Sequence, residues 1–226
     1  SAFGSAGERC MAISVAVCVG KKTAENLKTK LLEETSKLNV GPYTDEKSDF
    51  GPLNNKAHYE KVLGYIDTGE KEGAKLLSDG RNMKLQGYEN GYFVGPTIFE
   101  DVKPDMKIYK EEIFGPVLSM MTTDTYEEAL KLVNDHDLGN GAAVFTKSGM
   151  IAKHFTENAK IGMIGVNVPI PVPVAYHSFG GWKRSLFGDH SMHGPEGVRF
   201  YTKLKTATVT WSEDNSGPEF TIPVLS

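Results

Sequence analysis

The alternation of apolar and polar positions divides the chain into short helices and strands. Leu27, Leu31 and Leu38 are separated by charged residues, a spacing that predicts an amphipathic helix over 23–38 with Thr23 as its N-cap. The same reasoning predicts further helices over 55–70, 126–134 and 151–159, and strands over 76–77, 93–102, 115–123, 142–146 and 163–168. Helices that alternate with β-branched strands indicate an α/β fold with a mostly parallel sheet.

Three other segments have distinct patterns. The apolar run 11–19 predicts a helix that begins directly after Cys10. The Pro-rich segment 170–174 lacks N–H groups that a central strand needs, so it predicts a loop. Residues 200–211 alternate strongly and predict a long strand, which is followed by a polar tail.

The bulk composition excludes several classes of partner. With 226 residues, a formal net charge of −4 and a pI near 5.9, the chain offers no basic surface for nucleic acid. No apolar run is long enough to cross a membrane, no secretory signal opens the sequence, and two cysteines are too few for a disulfide framework. We therefore expect a reducing compartment, which is the cytoplasm in a bacterium or the mitochondrial matrix in a eukaryote.

Cys10 is the candidate nucleophile of the chain. It follows a loop of small residues and precedes the predicted helix, where unpaired N–H groups and the helix dipole favour a thiolate. Arg9 adds a fixed positive charge beside it. A buried structural cysteine is the alternative, and that role is the commoner one for an isolated cysteine. A reactive loop at a chain terminus would fray, so we expect this chain to be the C-terminal part of a longer protein.

Four motifs resemble those of the aldehyde dehydrogenase superfamily and follow the family's order. They are Phe3-Gly4-Ser5-Ala6-Gly7-Glu8-Arg9-Cys10, Asn90-Gly91-Tyr92-Phe93-Val94-Gly95-Pro96-Thr97, Lys110-Glu111-Glu112-Ile113-Phe114-Gly115-Pro116 and Ser178-Phe179-Gly180-Gly181-Trp182-Lys183. The segment Arg9-Cys10-Met11-Ala12 is most similar to the CoA-acylating methylmalonate-semialdehyde dehydrogenases.

This resemblance implies an organisation and a set of ligands. The implied domains are an aldehyde dehydrogenase catalytic domain over 1–195, an oligomerisation strand over 196–212 and a tail over 213–226. NAD is the implied cofactor, CoA the acyl acceptor and a small aldehyde the substrate, in a homodimer or homotetramer. The sequence has no Gly-rich phosphate loop between a strand and a helix, so we expect the chain alone to be inactive.

Glu112 and Phe114 are the candidate cofactor-binding residues. Two positions apart in an extended segment, they would share one face, where a carboxylate and an aromatic ring grip a ribose and a flat ring. The alternative from the residues alone is a strand edge with a solvated Glu and a buried Phe. In the family, the second Glu of this motif binds the nicotinamide ribose and the Phe lies by the nicotinamide ring, so the resemblance implies these roles.

Arg9 has three alternative roles: a solvated charge, a member of a structural ion pair, or a clamp for a substrate carboxylate. A guanidinium binds a carboxylate through two parallel hydrogen bonds. The resemblance implies the clamp, because the arginine beside the nucleophile holds the substrate carboxylate in the methylmalonate-semialdehyde branch. Glu8 either pairs with Arg9 and competes with that role, or faces outward.

Asn167 and Phe179 are the remaining candidate substrate-binding residues. The resemblance implies that Asn167 faces the substrate tunnel and that Phe179 forms its aromatic wall. A plain strand-end Asn and simple packing of the Phe against glycines are the alternatives. The loop histidines, His177, His190 and His193, do not have the spacing of a zinc site, and we expect no metal.

The resemblance therefore implies part of an NAD-dependent, CoA-acylating methylmalonate-semialdehyde dehydrogenase of valine catabolism. In that reaction Cys10 attacks the aldehyde, and the resulting thioester passes its acyl group to CoA. Two alternatives stay open: a hydrolytic NAD-dependent aldehyde dehydrogenase, and a non-catalytic module that assembles subunits through 200–211. Thiol titration of Cys10 separates the enzymes from the assembly module.

Overall fold

The computed structural model describes residues 1–209 and 211 of the chain. Its strands are β1 (Val15–Val19), β2 (Lys75–Ser78), β3 (Thr97–Glu100), β4 (Val117–Thr123), β5 (Leu138–Gly139), β6 (Gly141–Val144), β7 (Met163–Val166) and β8 (Trp182–Lys183). Its helices are α1 (Lys21–Thr35), α2 (Lys56–Lys71), α3 (Lys107–Lys110), α4 (Tyr126–Asp135), α5 (Gly149–Asn158) and α6 (Gly194–Tyr201), and a short 3₁₀ turn spans Gly4–Gly7.

The largest sheet has four strands in the order β1-β4-β3-β2. β4 pairs in parallel with both β1 and β3, whereas β2 is antiparallel to β3 at one edge. Strands with parallel neighbours on both sides are covered on both faces and tend to be continuously apolar. The first five residues of β4 are indeed all buried. This sheet confirms the predicted α/β class with a mostly parallel sheet.

Helix α2 packs against this sheet and supports the turn that precedes β4. Its Val62 and Ile66 are 0% exposed, as are Ile98 and Phe99 of β3. The helix begins at the N-cap Asn55, whose side chain accepts a hydrogen bond from the His58 backbone N–H. Such a cap stabilises a helix by about 1 kcal/mol.

A second, smaller unit follows β4. Strands β6 and β7 pair in parallel, and β5 pairs antiparallel with β8. A separate cluster of buried apolar side chains holds this unit together: Leu130, Phe155, Ala159 and Ile161. Helix α4 begins with a capping box between Thr125 and Glu128. Among the described residues, no helix has the length and hydropathy to cross a membrane.

Two predicted elements have the wrong type of structure, and helix α1 begins at Lys21 with Gly20 as its N-cap rather than at the predicted Thr23. Residues 11–19 do not form a helix, because the β-branched residues of β1 pair in parallel with β4. The predicted strand over 200–211 is also wrong at its start, since α6 extends through Tyr201. Residues 202–209 and Trp211 join no strand of the described chain, and residues 210 and 212 and the predicted tail over 213–226 lie outside the described residues.

Candidate active site

The loop before Cys10 turns sharply through left-handed backbone conformations. Ser5 and Ala6 both have φ of 54°, and Gly7 has φ of 72°. An L-residue in this conformation costs about 1–2 kcal/mol, and such strain is often found at functional sites. The turn leaves Cys10 exposed, and the Ala12 N–H donates to the carbonyl of Arg9 at 3.1 Å.

Cys10 does not lie at the start of a helix. It lies in a turn, and the next regular element is the strand β1. The prediction that a helix N-terminus after Cys10 favours its thiolate is therefore wrong. Cys18 is 3% exposed within β1, and burial raises the pKa of its thiol.

Residues 3–11 carry the candidate nucleophile and are named the nucleophile loop here. This loop packs directly on the turn that leads into β4. A Cβ atom on Gly7 would lie 2.0 Å from the carbonyl oxygen of Gly115. A Cβ atom on Gly115 would in turn lie 2.7 Å from Cγ2 of Val62 in α2. Both positions require glycine, because no side chain fits between these three layers. This stacking explains how the loop and the turn come to share one site.

Cys10, Arg9, Glu112 and Phe114 line one cleft, with a cavity of about 50 Å³. Glu112 is exposed and Phe114 is half-buried. Phe114 has a φ of 58°, so the segment is a strained turn rather than the extended strand that the prediction assumed. The structure therefore brings the candidate nucleophile and both candidate cofactor residues together, although by a different backbone geometry.

Glu8 faces helix α2 rather than Arg9. Its Oε1 accepts a hydrogen bond from the Asn54 N–H at 3.2 Å and lies 3.4 Å from His58 Nε2. The same His58 nitrogen lies 2.6 Å from the Phe114 carbonyl oxygen. A carbonyl oxygen can only accept, so His58 Nε2 carries the hydrogen. His58 thus links the nucleophile loop to the Phe114 turn.

Arg9 is left without a carboxylate partner in the described part of the chain. Its Nε donates to the Ser5 hydroxyl at 3.0 Å, and its side chain is exposed. The described residues place no ion-pair partner within 4.0 Å of its guanidinium. Of the alternatives for Glu8, competition for Arg9 is therefore excluded by its contacts with α2.

Asn140 contacts the nucleophile loop from the opposite side. Its Nδ2 donates to the carbonyl oxygen of Cys10 at 2.9 Å and lies 3.2 Å from Sδ of Met11. Sequence reasoning found neither Asn140 nor His58, because both contacts join positions far apart along the chain. The flanking Gly139 and Gly141 are the only local signal of a close backbone approach at Asn140.

Asn167 and Phe179 do not line the cleft around Cys10. Asn167 has a φ of 56°, and its side-chain amide accepts from the Thr146 N–H at 2.9 Å and donates to the Thr146 carbonyl at 3.1 Å. The Phe179 ring stacks on His193 with centroids 4.2 Å apart. Their substrate-binding roles stay predictions.

The other loop histidines have local partners. His190 Nδ1 lies 2.6 Å from Oε2 of Glu196, and Tyr176 packs on His177 with ring centroids 4.4 Å apart. Over the described residues, no three His, Cys, Asp or Glu side chains are grouped as metal ligands.

Lys183 of the last motif closes the end of helix α4. Its ammonium donates to the carbonyl oxygens of Val133, Asn134 and His136 at 3.2, 2.9 and 2.9 Å. These are carbonyls that a helix C-terminus leaves unpaired, and a cation there is also favoured by the helix dipole. Desolvation lowers the pKa of Lys183. Lys183 therefore has a structural role in this chain, as a cap on the C-terminus of α4.

The chain is similar to a known family of proteins over most of its length. Residues 1–207 match the Aldehyde dehydrogenase family. The whole chain is 52% identical to malonate-semialdehyde dehydrogenase of Pseudomonas aeruginosa and covers 46% of it. It is 48% identical, again over its whole length, to the mitochondrial, acylating methylmalonate-semialdehyde/malonate-semialdehyde dehydrogenase of Bos taurus, of which it covers 42%.

A solved structure is also closely similar. The crystal structure of a Sinorhizobium meliloti protein described as a methylmalonate-semialdehyde dehydrogenase, in complex with NAD, superposes with a TM-score of 0.92 at 55% identity. The match covers 95% of this chain and 44% of that one, so the chain spans less than half the length of these relatives. With a family match over nearly its entire length and a shared fold at high identity, this chain belongs to the aldehyde dehydrogenase family.

Proposed function

We propose that this chain is part of an NAD-dependent, CoA-acylating dehydrogenase of methylmalonate or malonate semialdehyde. The observation that carries the proposal is Arg9, an exposed guanidinium without a carboxylate partner in the described chain, next to the exposed thiol of Cys10. Both residues line the same cleft. A semialdehyde of this type carries one aldehyde to react with the thiol and one carboxylate to bind the guanidinium.

The chemistry assigned to Cys10 is covalent catalysis. Its thiolate attacks the aldehyde carbon, which forms a C–S bond and a thiohemiacetal. Loss of hydride from that carbon converts the thiohemiacetal to a thioester on Cys10. The CoA thiol then takes the acyl group and frees Cys10, in the methylmalonate branch after loss of carbon dioxide.

The turn before β4 fits the nicotinamide end of the cofactor. Bound NAD supplies the acceptor for the hydride that leaves the thiohemiacetal. The exposed carboxylate of Glu112 is suited to accept hydrogen bonds from ribose hydroxyls, and the half-buried ring of Phe114 offers a flat apolar surface. His58 holds the Phe114 carbonyl at 2.6 Å and so orients this surface.

The segment 202–211 is the proposed subunit contact of the enzyme. Leu204, Val209 and Trp211 are 97%, 63% and 91% exposed in the single chain. Large apolar side chains exposed near one another along the chain favour burial against another subunit. A homo-oligomer would bury these side chains, and the deletion of 202–211 is expected to give monomers in analytical ultracentrifugation.

Substitution of Arg9 tests the proposed substrate class. In the full-length enzyme, Arg9→Leu should lower kcat/KM for methylmalonate semialdehyde by about 10- to 100-fold, because the substrate carboxylate loses its charge-assisted hydrogen bonds to the guanidinium, worth about 1.5–3 kcal/mol. Propanal has no carboxylate, and its kcat/KM should change by less than about threefold. Arg9→Lys is the matched control that keeps the charge but loses bidentate binding, and it should lie between the two.

The contrary outcomes are distinct. Equal losses for both aldehydes mean that Arg9 acts on Cys10 and does not bind the substrate. If neither aldehyde is affected, Arg9 is a solvated charge, and the semialdehyde assignment loses its support from the site.

A further inference from the structure

Asn140 makes the one side-chain hydrogen bond to the backbone carbonyl of Cys10 found in the described residues. The donor–acceptor distance is 2.9 Å, and the two residues are 130 positions apart. Cys10 O can only accept, so the nitrogen of the Asn140 amide must face it. The same nitrogen lies 3.2 Å from Met11 Sδ, so the Asn140 side chain contacts both Cys10 and Met11.

The Met11 side chain fits a notch beside Asn140. A Cβ atom at Gly141 would lie 2.6 Å from Cε of Met11 and 3.6 Å from the Met163 carbonyl oxygen. The absence of a side chain at Gly141 thus makes room for the end of Met11. Met11 is therefore held by the fit of its side chain beside Gly141 as well as by the contact with the Asn140 amide.

The backbone of Asn140 is fixed without its side chain. β5 ends at Gly139 and pairs with β8, and β6 begins at Gly141 and pairs with β7. The Asn140 carbonyl accepts from the Met163 N–H at 3.1 Å, and the Gly139 N–H donates to the Ser185 hydroxyl at 3.0 Å. The strands on either side of Asn140 thus fix the position from which its amide group contacts the nucleophile loop. Substitution of the Asn140 side chain leaves these backbone hydrogen bonds in place.

We propose that Asn140 is a positioning residue for the nucleophile. By holding the Cys10 carbonyl, it fixes the plane of the Cys10–Met11 peptide and therefore the ψ angle of Cys10. That angle orients the Cα–Cβ bond of Cys10 and, together with χ1, sets the position of the thiol; a misplacement of about 1 Å in a reacting group costs on the order of 10² in rate. The inference rests on the proposed function only in that Cys10 is the nucleophile, whichever aldehyde it attacks.

The test is the pre-steady-state burst of NADH in the full-length enzyme with saturating NAD and propanal. Asn140→Leu keeps a side chain of similar shape but removes the donor, and it should slow the burst by about 10- to 100-fold. The KM for NAD should stay within twofold of the parent value, because Glu112 and Phe114 do not contact Asn140. Asn140→Ala gives the same comparison if the Leu variant does not fold.

Asn134→Leu is the matched control. Asn134 lies in the same small unit, donates to the Asn158 carbonyl at 3.0 Å and accepts from the Lys160 N–H at 2.7 Å, but contacts no residue of the nucleophile loop. Its variant should lose stability and keep the burst rate. A parental burst rate in Asn140→Leu, or an equal loss in both variants, overturns the inference. Because propanal lacks a carboxylate, the result does not depend on the semialdehyde assignment, which the Arg9 variants test separately.

Discussion

The tight contact between Gly7 and Gly115 makes Gly7→Ala a sensitive probe of the site. The new Cβ would lie 2.0 Å from the Gly115 carbonyl oxygen, whereas Cβ atoms essentially never approach other atoms within 3.0 Å. The nucleophile loop and the Phe114 turn must therefore separate by about 1 Å. No rotamer relieves the clash, because both contacting groups belong to the backbone.

Two effects follow from this separation. Overpacking costs about 1–3 kcal/mol, and the left-handed φ adds about 1–2 kcal/mol, so the free energy of unfolding should fall by about 2–5 kcal/mol. A displacement of about 1 Å between Cys10 and the cofactor turn should also lower kcat by on the order of 10².

The assay compares Gly7→Ala with Gly87→Ala in the full-length enzyme, by denaturant unfolding and by steady-state NADH production. Gly87 has a φ of 82° and would meet no atom within 4 Å on gaining a Cβ. Its variant therefore carries only the conformational cost and should keep the parental kcat. If Gly7→Ala loses no more stability than Gly87→Ala and keeps kcat within twofold, the proposed role of the contact is refuted.

Three further predictions concern single side chains. At pH 8, iodoacetamide should label the exposed Cys10 and spare Cys18, whose burial raises its pKa and keeps the thiol protonated; peptide mapping that finds Cys18 labelled first in folded protein contradicts this. Glu112→Gln should weaken NAD binding about tenfold in calorimetry and slow turnover. Glu111→Gln is the control and should change NAD affinity little, because the Glu111 carboxylate already accepts a hydrogen bond from Tyr65. Parental NAD affinity in the Glu112 variant argues against its cofactor role. Lys183→Met should lower the free energy of unfolding by about 1–2 kcal/mol, and an unchanged denaturation midpoint would show that its three carbonyl contacts contribute nothing.

Elements with local signals were predictable from the sequence. Helices α2 and α4 were predicted within one residue of their true bounds, and the structure adds a local cap to each, Asn55 in α2 and the capping box of α4. The resemblance assigned Cys10, Arg9, Glu112 and Phe114 to one reaction, and the structure places all four around one cleft, although their roles stay predictions.

The wrongly predicted elements depend on contacts with residues that are distant along the chain. A short apolar run such as 11–19 is compatible with a helix or a buried strand, and the parallel pairing of β1 with β4 decides between them. Pro195 and Glu196 lie in the first turn of α6, where both residues favour the start of a helix. The alternation of apolar and polar residues after Phe200 outweighed this signal in the prediction. Asn140 and His58 contact residues more than fifty positions away, and apart from the glycines that flank Asn140 the sequence holds no local signal of these contacts.

The pairing of β1 with β4 also sets an order of assembly. β2, β3 and β4 are neighbours along the chain and can associate as soon as residue 123 is available, whereas β1 joins the sheet only after this long segment has closed on itself. Closure of a long loop lowers the conformational entropy of the chain before stabilising contacts form. The pairing of β1 with β4 is therefore slow. During synthesis, the thiol of Cys10 therefore leaves the ribosome well before its binding cleft exists. We expect the nascent chain to be most vulnerable to oxidation and misassociation in that interval.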